Sequence, residues 1–141
     1  MHWSVVEVEG VRVSSTGRGM LVFIGIADSD ELNDTRYLAK KTASLRIFED
    51  SQGKMNLSIR EVGGEVLVVS QFTLVAETGK GNRPSFGPAA PPDRAKRLYG
   101  QFVQEMENLG IKVKTGVFGA DMAVSLCNDG PVTMLLESKL R

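Results

Sequence analysis

Two short aliphatic runs constrain this chain more than any other feature. Met20 to Ile26 reads Met-Leu-Val-Phe-Ile-Gly-Ile, and Val66 to Val69 reads Val-Leu-Val-Val. Neither alternates with polar residues, so Met20–Ile26 predicts a strand covered on both faces and Val66–Val69 a second buried strand. The 141 residues suffice for one domain with a modest core, not two. The longer run is strand-length and interrupted by Gly25, far from the ~18 residues of a membrane span. No basic segment leading into a long apolar stretch opens the sequence, so no secretory signal is read and the expected location is cytoplasmic.

The remaining elements follow from periodicity and punctuation. In Ser4 to Val13, Val6 and Val8 alternate with Glu7 and Glu9, and Gly10 sits where a tight turn falls, which predicts a hairpin. Asp28-Ser29-Asp30 supplies N-cap chemistry for a helix over Glu31 to Leu45, with Leu38, Thr42 and Leu45 inward and Tyr37 beside them. Gly53 and Gly63-Gly64 mark turns, and Glu65 to Leu74 carries the second aliphatic strand. Thr78 to Pro92 reads as a long loop. A second helix follows, with Pro91-Pro92 near its first turn and Gly110 just past its end. Its buried face is Ala95, Leu98, Phe102, Met106 and Leu109, and Gly100 inside it costs about 1 kcal/mol relative to Ala. Ile111, Val113, Thr115 and Val117 alternate, as do Met122, Val124 and Leu126, and Pro131 to Leu136 is a last apolar run. The order is β-β-α-β-α-β-β-β. It predicts a single α/β (α+β) domain with two helices on a mixed or antiparallel, barrel-like sheet.

Charge and rare residues narrow the chemistry. Lys+Arg and Asp+Glu are both 17, so the net charge is zero. That excludes nucleic-acid binding through bulk charge but leaves room for a local basic patch. His2 is the only histidine and Cys127 the only cysteine. No intrachain disulfide can form, a Cys/His zinc site lacks ligands, and a Ser-His-Asp triad would need His2. Cys127 is expected to be a small buried hydrophobe. Lys40-Lys41 and Lys112 with Lys114 read as solvated faces, and Trp3 as either an interface anchor or a bare terminal residue.

Three segments admit two readings each. Ser70-Gln71-Phe72-Thr73-Leu74 closes a run of four aliphatics. It is a strand emerging into water, or a strand end that places a hydroxyl and backbone N–H groups at a pocket mouth. Asn128-Asp129-Gly130-Pro131-Val132-Thr133 is a turn, because Gly takes positive φ and Pro fixes its own. The same residues let backbone approach a ligand closely, and a cis Gly–Pro bond would aim carbonyls into a site. Lys80-Gly81-Asn82-Arg83-Pro84-Ser85-Phe86 is a solvated loop, or two cations and an aromatic that contact phosphate and stack on a base.

Together these segments resemble the D-aminoacyl-tRNA deacylases, once called D-tyrosyl-tRNA deacylases, from about Ser4 to Glu137. The two signatures of that family stand here as Ser-Gln-Phe-Thr-Leu at 70–74 and Gly-Pro-Val-Thr at 130–133. Between and around them lie Leu45-Arg46-Ile47-Phe48, Gly53-Lys54-Met55-Asn56, Arg83-Pro84-Ser85-Phe86, Ala89-Ala90-Pro91-Pro92 and Phe118-Gly119-Ala120-Asp121-Met122. Deacylases that clear L-alanine differ in the first signature, so the chain resembles the D-specific branch.

The resemblance implies hydrolysis of a D-amino acid ester at the 3′-terminal adenosine of tRNA, and of glycyl-tRNA, with no metal or cofactor. It places catalysis at Ser70, Gln71, Phe72 and Thr73, chiral selection at Gly130, Pro131, Val132, Thr133 and Met122, and tRNA contacts at Lys80, Arg83 and Phe86. Arg46 is a further candidate cation. It implies a homodimer with active sites at the interface, the cis Gly-Pro of each subunit entering the site of the other. Rigid backbone on the Cα–H side rejects every L side chain by collision, whatever its chemistry, while D residues and glycine pass. Two mechanisms stay open: Thr73 as nucleophile, or N–H groups near Phe72 and Thr73 acting as an oxyanion hole while the tRNA 2′-OH assists water.

The chain also departs from the pattern. Family members carry one more strand ahead of the part matched by Ser4, with an arginine that fixes the Gly-Pro motif, and Met1-His2-Trp3 supply neither. Val75, Gly79 and Asn82 stand where Tyr, Arg and Arg are common, which implies weaker contacts to the tRNA end. An inactive relative that binds tRNA ends or a partner protein is the alternative reading.

Overall fold

The two aliphatic runs become neighbouring strands. The computed structural model describes residues 1–139. In it β3 (Gly19–Ile24) and β6 (Glu65–Ser70) pair in parallel from Gly19↔Glu65 to Ile24↔Ser70, and β7 (Lys112–Thr115) adds in parallel on the other side of β6. Parallel neighbours require long crossovers. One crossover carries α1 (Leu32–Ser44), the short pair β4 (Phe48–Glu49) and β5 (Met55–Leu57), and α2 (Ile59–Val62). The other carries α3 (Pro92–Asn108).

The central strand β6 is buried, as its sequence predicts, and it is this strand rather than β3 that is covered on both faces. Val66 and Val68 join residues of the two helices α1 and α3 in one core cluster, with Phe102 and Met106 fully buried. Leu67 and Val69 point the other way, against Val6. That second layer is an antiparallel sheet in the order β2 (Val11–Thr16), β1 (Trp3–Val8), β8 (Ala123–Cys127). The period of two along β6 thus feeds two cores from one strand. The β1–β2 hairpin turns at Glu9 and Gly10, both at positive φ, as a tight two-residue turn needs.

Several expectations are corrected. The described sheets are three open ones and do not close into a barrel. α2 and a 3-10 turn at Phe72–Val75 add to the two expected helices. β3 is an edge strand with Phe23 41% exposed, so its apolar run is covered less completely than β6. The N-cap of α1 is Glu31, whose N–H donates to Asp34 (2.7 Å). Asp30 instead turns back to the Ala27 N–H (2.7 Å). The buried stripe of α1 is Thr35, Ala39, Thr42 and Ala43, with Leu38 and Leu45 only partly covered and Tyr37 exposed. Small residues let α1 lie close to α3. In α3, Pro92 opens the helix and Tyr99 joins Leu98, Phe102 and Met106 in the core. Pro131–Leu136 forms no strand among the described residues, and Met134 and Leu135 are exposed. An apolar run becomes a strand only where a free edge accepts its N–H and C=O groups, and no described strand pairs with it. Cys127 is partly exposed rather than buried, because it ends the outer strand β8.

Candidate functional site

The first signature sits where the central strand stops. The Gln71 N–H donates to the Ile24 carbonyl (2.8 Å), the last rung between β3 and β6. The chain then coils tightly, with Leu74 N–H to Gln71 O (3.1 Å) and Ala76 N–H to Thr73 O (3.1 Å). The segment therefore ends in a 3-10 turn rather than running on as a strand. Gly25 makes this possible: a Cβ there would stand 3.0 Å from both the Gln71 carbonyl oxygen and the Leu74 Cβ. The Gln71 side-chain amide donates to the Thr73 hydroxyl oxygen. Phe72 and Leu74 are about half exposed.

The loop after the turn folds back over it. Glu77 and Ser85 exchange two backbone hydrogen bonds (2.8 and 2.9 Å), which places Lys80 and Arg83 on an exposed tip. The Phe86 ring then meets the Phe72 ring edge-on, centroids 5.1 Å apart. Asp28 N–H to Pro88 O (2.8 Å) and Ala90 N–H to Ile26 O (3.0 Å) fasten the loop to the segment after β3. Lys80, Arg83, Phe86, Phe72 and Thr73 are thus brought to one end of the sheet. Arg46 is not: its Nε donates to Asn56 O (3.0 Å), and it lines an open cavity of about 790 Å³ with Gly63 and Gly64, beside the start of β6.

The second signature lies at that opposite end. β8 runs antiparallel to β1 with Trp3 opposite Cys127. His2 N–H donates to Cys127 O (3.0 Å), His2 Nε2 stands 3.4 Å from an Asp129 carboxylate oxygen, and Met1 and Gly19 bond to each other through their backbones. Gly130–Pro131 follows directly. It therefore belongs to the end where β3 and β6 begin, five residue steps or roughly 16 Å from the end where they stop. The Gly130–Pro131 bond is cis and Gly130 has φ +129°. The Asn128 carboxamide accepts the Val132 N–H (3.1 Å) and donates to the Thr133 hydroxyl (2.9 Å). Residues 131–138 then run the length of the molecule, and Lys139 Nζ contacts Ser29 O (2.7 Å), Asp30 (3.3 Å) and Asp34 (3.6 Å). Met122 packs with Val6, Leu67 and Val69 in the second core.

Within one chain, then, Gln71–Thr73 join Phe86, Lys80 and Arg83, but not Gly130–Thr133. Burial and hydrogen bonding perturb few groups, none of them at Thr73. Tyr99, whose hydroxyl donates to Val68 O (3.2 Å), is pushed up by burial. Burial raises Asp34, but the Glu31 N–H, Ser138 and Lys139 together hold it below its ordinary value. Two further residues organise the site: Asn128, which the sequence places in the second segment without a role of its own, and Gly25, which the sequence marks only as a break in an apolar run. The signal for Gly25 was a glycine interrupting a strand-like run, which marks close backbone approach.

Comparison with known proteins gives a consistent picture. The family model described as "D-Tyr-tRNA(Tyr) deacylase" matches residues 1–137. The D-aminoacyl-tRNA deacylase of Geobacter sulfurreducens is 56% identical over 136 residues, 96% of this chain and 90% of that protein. That of Thermosipho africanus is 54% identical over 134 residues, 95% and 90% of the two chains. A solved structure titled "c-Myc DNA Unwinding Element Binding Protein" superposes with a TM-score of 0.92 at 37% identity, covering 99% of this chain and 95% of its own. A probable eukaryotic D-amino acid tRNA deacylase shares the fold, with a TM-score of 0.74 at 20% identity over 89% and 88% of the chains.

Proposed function

The chain belongs to the D-Tyr-tRNA(Tyr) deacylase family, and from that membership we propose that it hydrolyses the ester between a D-amino acid and the 3′-terminal adenosine of tRNA. Free D-amino acid and reusable tRNA are the products, glycyl-tRNA is a second substrate, and the cytoplasm is the setting. The observation that carries this reading is the family match, which spans both signatures, Ser70–Leu74 and Gly130–Thr133.

The mechanism follows from the 3-10 turn. The first N–H groups of a helical turn have no partner within it, so those of Phe72 and Thr73 are free to polarise the ester carbonyl. Water attacks the carbonyl carbon, the bond to the 3′ oxygen breaks, and that oxygen leaves with a proton. Thr73 is a poor nucleophile here, because its hydroxyl faces the neutral Gln71 amide, which has no basicity to take a proton. The adjacent 2′-OH of the tRNA assists water instead. Phe86 and Phe72 offer a stacking face to the terminal base, and Lys80 and Arg83 offer charge to its phosphates.

Chiral selection falls to Gly130–Pro131, with Val132 and Thr133 in the same turn, while Met122 stands at the other end of β8, where the turn of a second copy would enter. Backbone on the Cα–H side collides with any L side chain and leaves D side chains unhindered. The two signatures lie at opposite ends of one chain, which supports a site completed by a second copy, each supplying its Gly-Pro turn to the other. Exposed apolar groups stand at both ends, Phe72, Leu74 and Phe86 at one, Trp3 and Leu126 at the other.

The test is hydrolysis of D-tyrosyl-tRNA against L-tyrosyl-tRNA, with Pro131→Ala alongside and the oligomeric state measured by sedimentation. The expected result is cleavage of the D ester only, by a dimer. Cleavage of neither by a folded dimer would overturn the reading and leave a protein that holds tRNA ends without hydrolysis.

A further inference from the structure

We propose that Asn128 is the positioning residue for chiral selection; this rests on the reading of Gly130–Pro131 given above. Rejection by collision is only as sharp as the backbone that causes it, since a displacement of about 0.5 Å relieves much of a steric overlap. The Gly130–Pro131 turn is exposed, and the nearest atoms a Cβ on Gly130 would meet all belong to Val132 of the same turn. Within its own chain, packing therefore gives the turn little support.

Asn128 supplies the missing constraint. It follows the last residue of β8, Cys127, whose carbonyl accepts the His2 N–H (3.0 Å). Its backbone is thereby held in the register of the β1–β8 pair. Its side chain then spans the turn, with Oδ1 accepting the Val132 N–H and Nδ2 donating to the Thr133 hydroxyl. One short, planar group ties the outgoing strand to the residues after Pro131. The turn moves with the sheet and not by itself. The 3.4 Å contact between His2 Nε2 and Asp129 adds only an exposed contact on the outer side.

The experiment measures kcat/KM for D-tyrosyl-tRNA and L-tyrosyl-tRNA with the full chain, its Asn128→Ala and Asn128→Asp variants, and Pro131→Ala. Asp keeps an acceptor for the Val132 N–H and can accept the Thr133 O–H. The expected result is a fall of about tenfold or more in the D-to-L ratio for Asn128→Ala, with most of the ratio restored by Asn128→Asp. A general loss of stability would lower both substrates together and leave the ratio alone. An unchanged ratio in Asn128→Ala, with Pro131→Ala selectively admitting the L ester, would overturn the role of Asn128 and keep the role of the turn. If Pro131→Ala leaves the ratio unchanged as well, the underlying reading of Gly130–Pro131 fails with it. Should Asn128→Ala not fold, Thr133→Val removes one of the two bonds, and an unchanged ratio there counts against the proposal.

Discussion

At the scale of single residues, the chemistry turns on what a hydroxyl and a missing Cβ have for neighbours. Thr73 has a carboxamide as its hydrogen-bond partner and, among the described residues, no base bonded to it, so Thr73→Ala is expected to keep a near-normal single-turnover rate. Complete loss in that assay, with an acyl-enzyme trapped in the wild type, would establish covalent catalysis instead. Gly25 and Gly100 make an instructive pair. A methyl on Gly25 meets the turn that carries Phe72 and Thr73 at 3.0 Å, whereas one on Gly100 meets nothing. Gly25→Ala is expected to cost about 1–3 kcal/mol and to lower activity beyond its effect on stability. Gly100→Ala, in the interior of α3, is expected to gain roughly 0.5–1 kcal/mol with activity unchanged. Urea titrations of the two variants check both. The sequence announced each glycine equally; only the neighbours across the sheet tell them apart.

At the scale of elements, the loop between the 3-10 turn and α3 decides how tRNA is held. Its tip presents Lys80 and Arg83, while Arg46 sits at the far end of the same chain. Few phosphate contacts imply a shallow salt dependence. The slope of log Kd against log salt should fall by about 0.7 per contact for a single strand, so by about 1.4 in the Lys80→Gln, Arg83→Gln double variant. An unchanged slope would remove the loop from the interface. Helices and central strands were legible because their signals are local: proline at the start of α3, glycine after its end, four aliphatics in β6. The 3-10 turn, α2 and the β4–β5 pair were not read, since two to four residues carry too little periodicity to register. The run at 131–136 failed differently, because strand identity depends on a partner edge as well as on composition.

At the scale of the molecule, stability should hold over a broad pH range with opposite causes at its edges. The Lys54 and Gln52 N–H groups hold Asp50 below the usual carboxylate range, the Ser58 N–H does so for Glu61, and the partners of Asp34 outweigh its burial. A depressed folded pKa contributes stability above the unfolded value, near 4, and loses it as pH falls. Tyr99 runs the other way. Its raised folded pKa leaves its contribution intact below the unfolded value, near 10, and lost as pH climbs past it. Urea midpoints are therefore expected to fall below about pH 4 and again above about pH 10. Tyr99→Phe should flatten the alkaline limb and cost about 1 kcal/mol at neutral pH for the lost bond to Val68.

The sequence by itself determined the two long helices, the central strands and the family. Aliphatic runs, helical spacing and capping residues act within a few neighbours, so they are written where they are read. Both signatures were legible for the same reason. The tertiary structure decided where those signatures stand. Parallel pairing of β3 with β6 sends Gln71–Thr73 to one end of the sheet, and antiparallel pairing of β8 with β1 returns Gly130–Pro131 to the other. Strand direction and register are agreements between distant segments, settled by which faces bury together, and no single stretch of sequence records them.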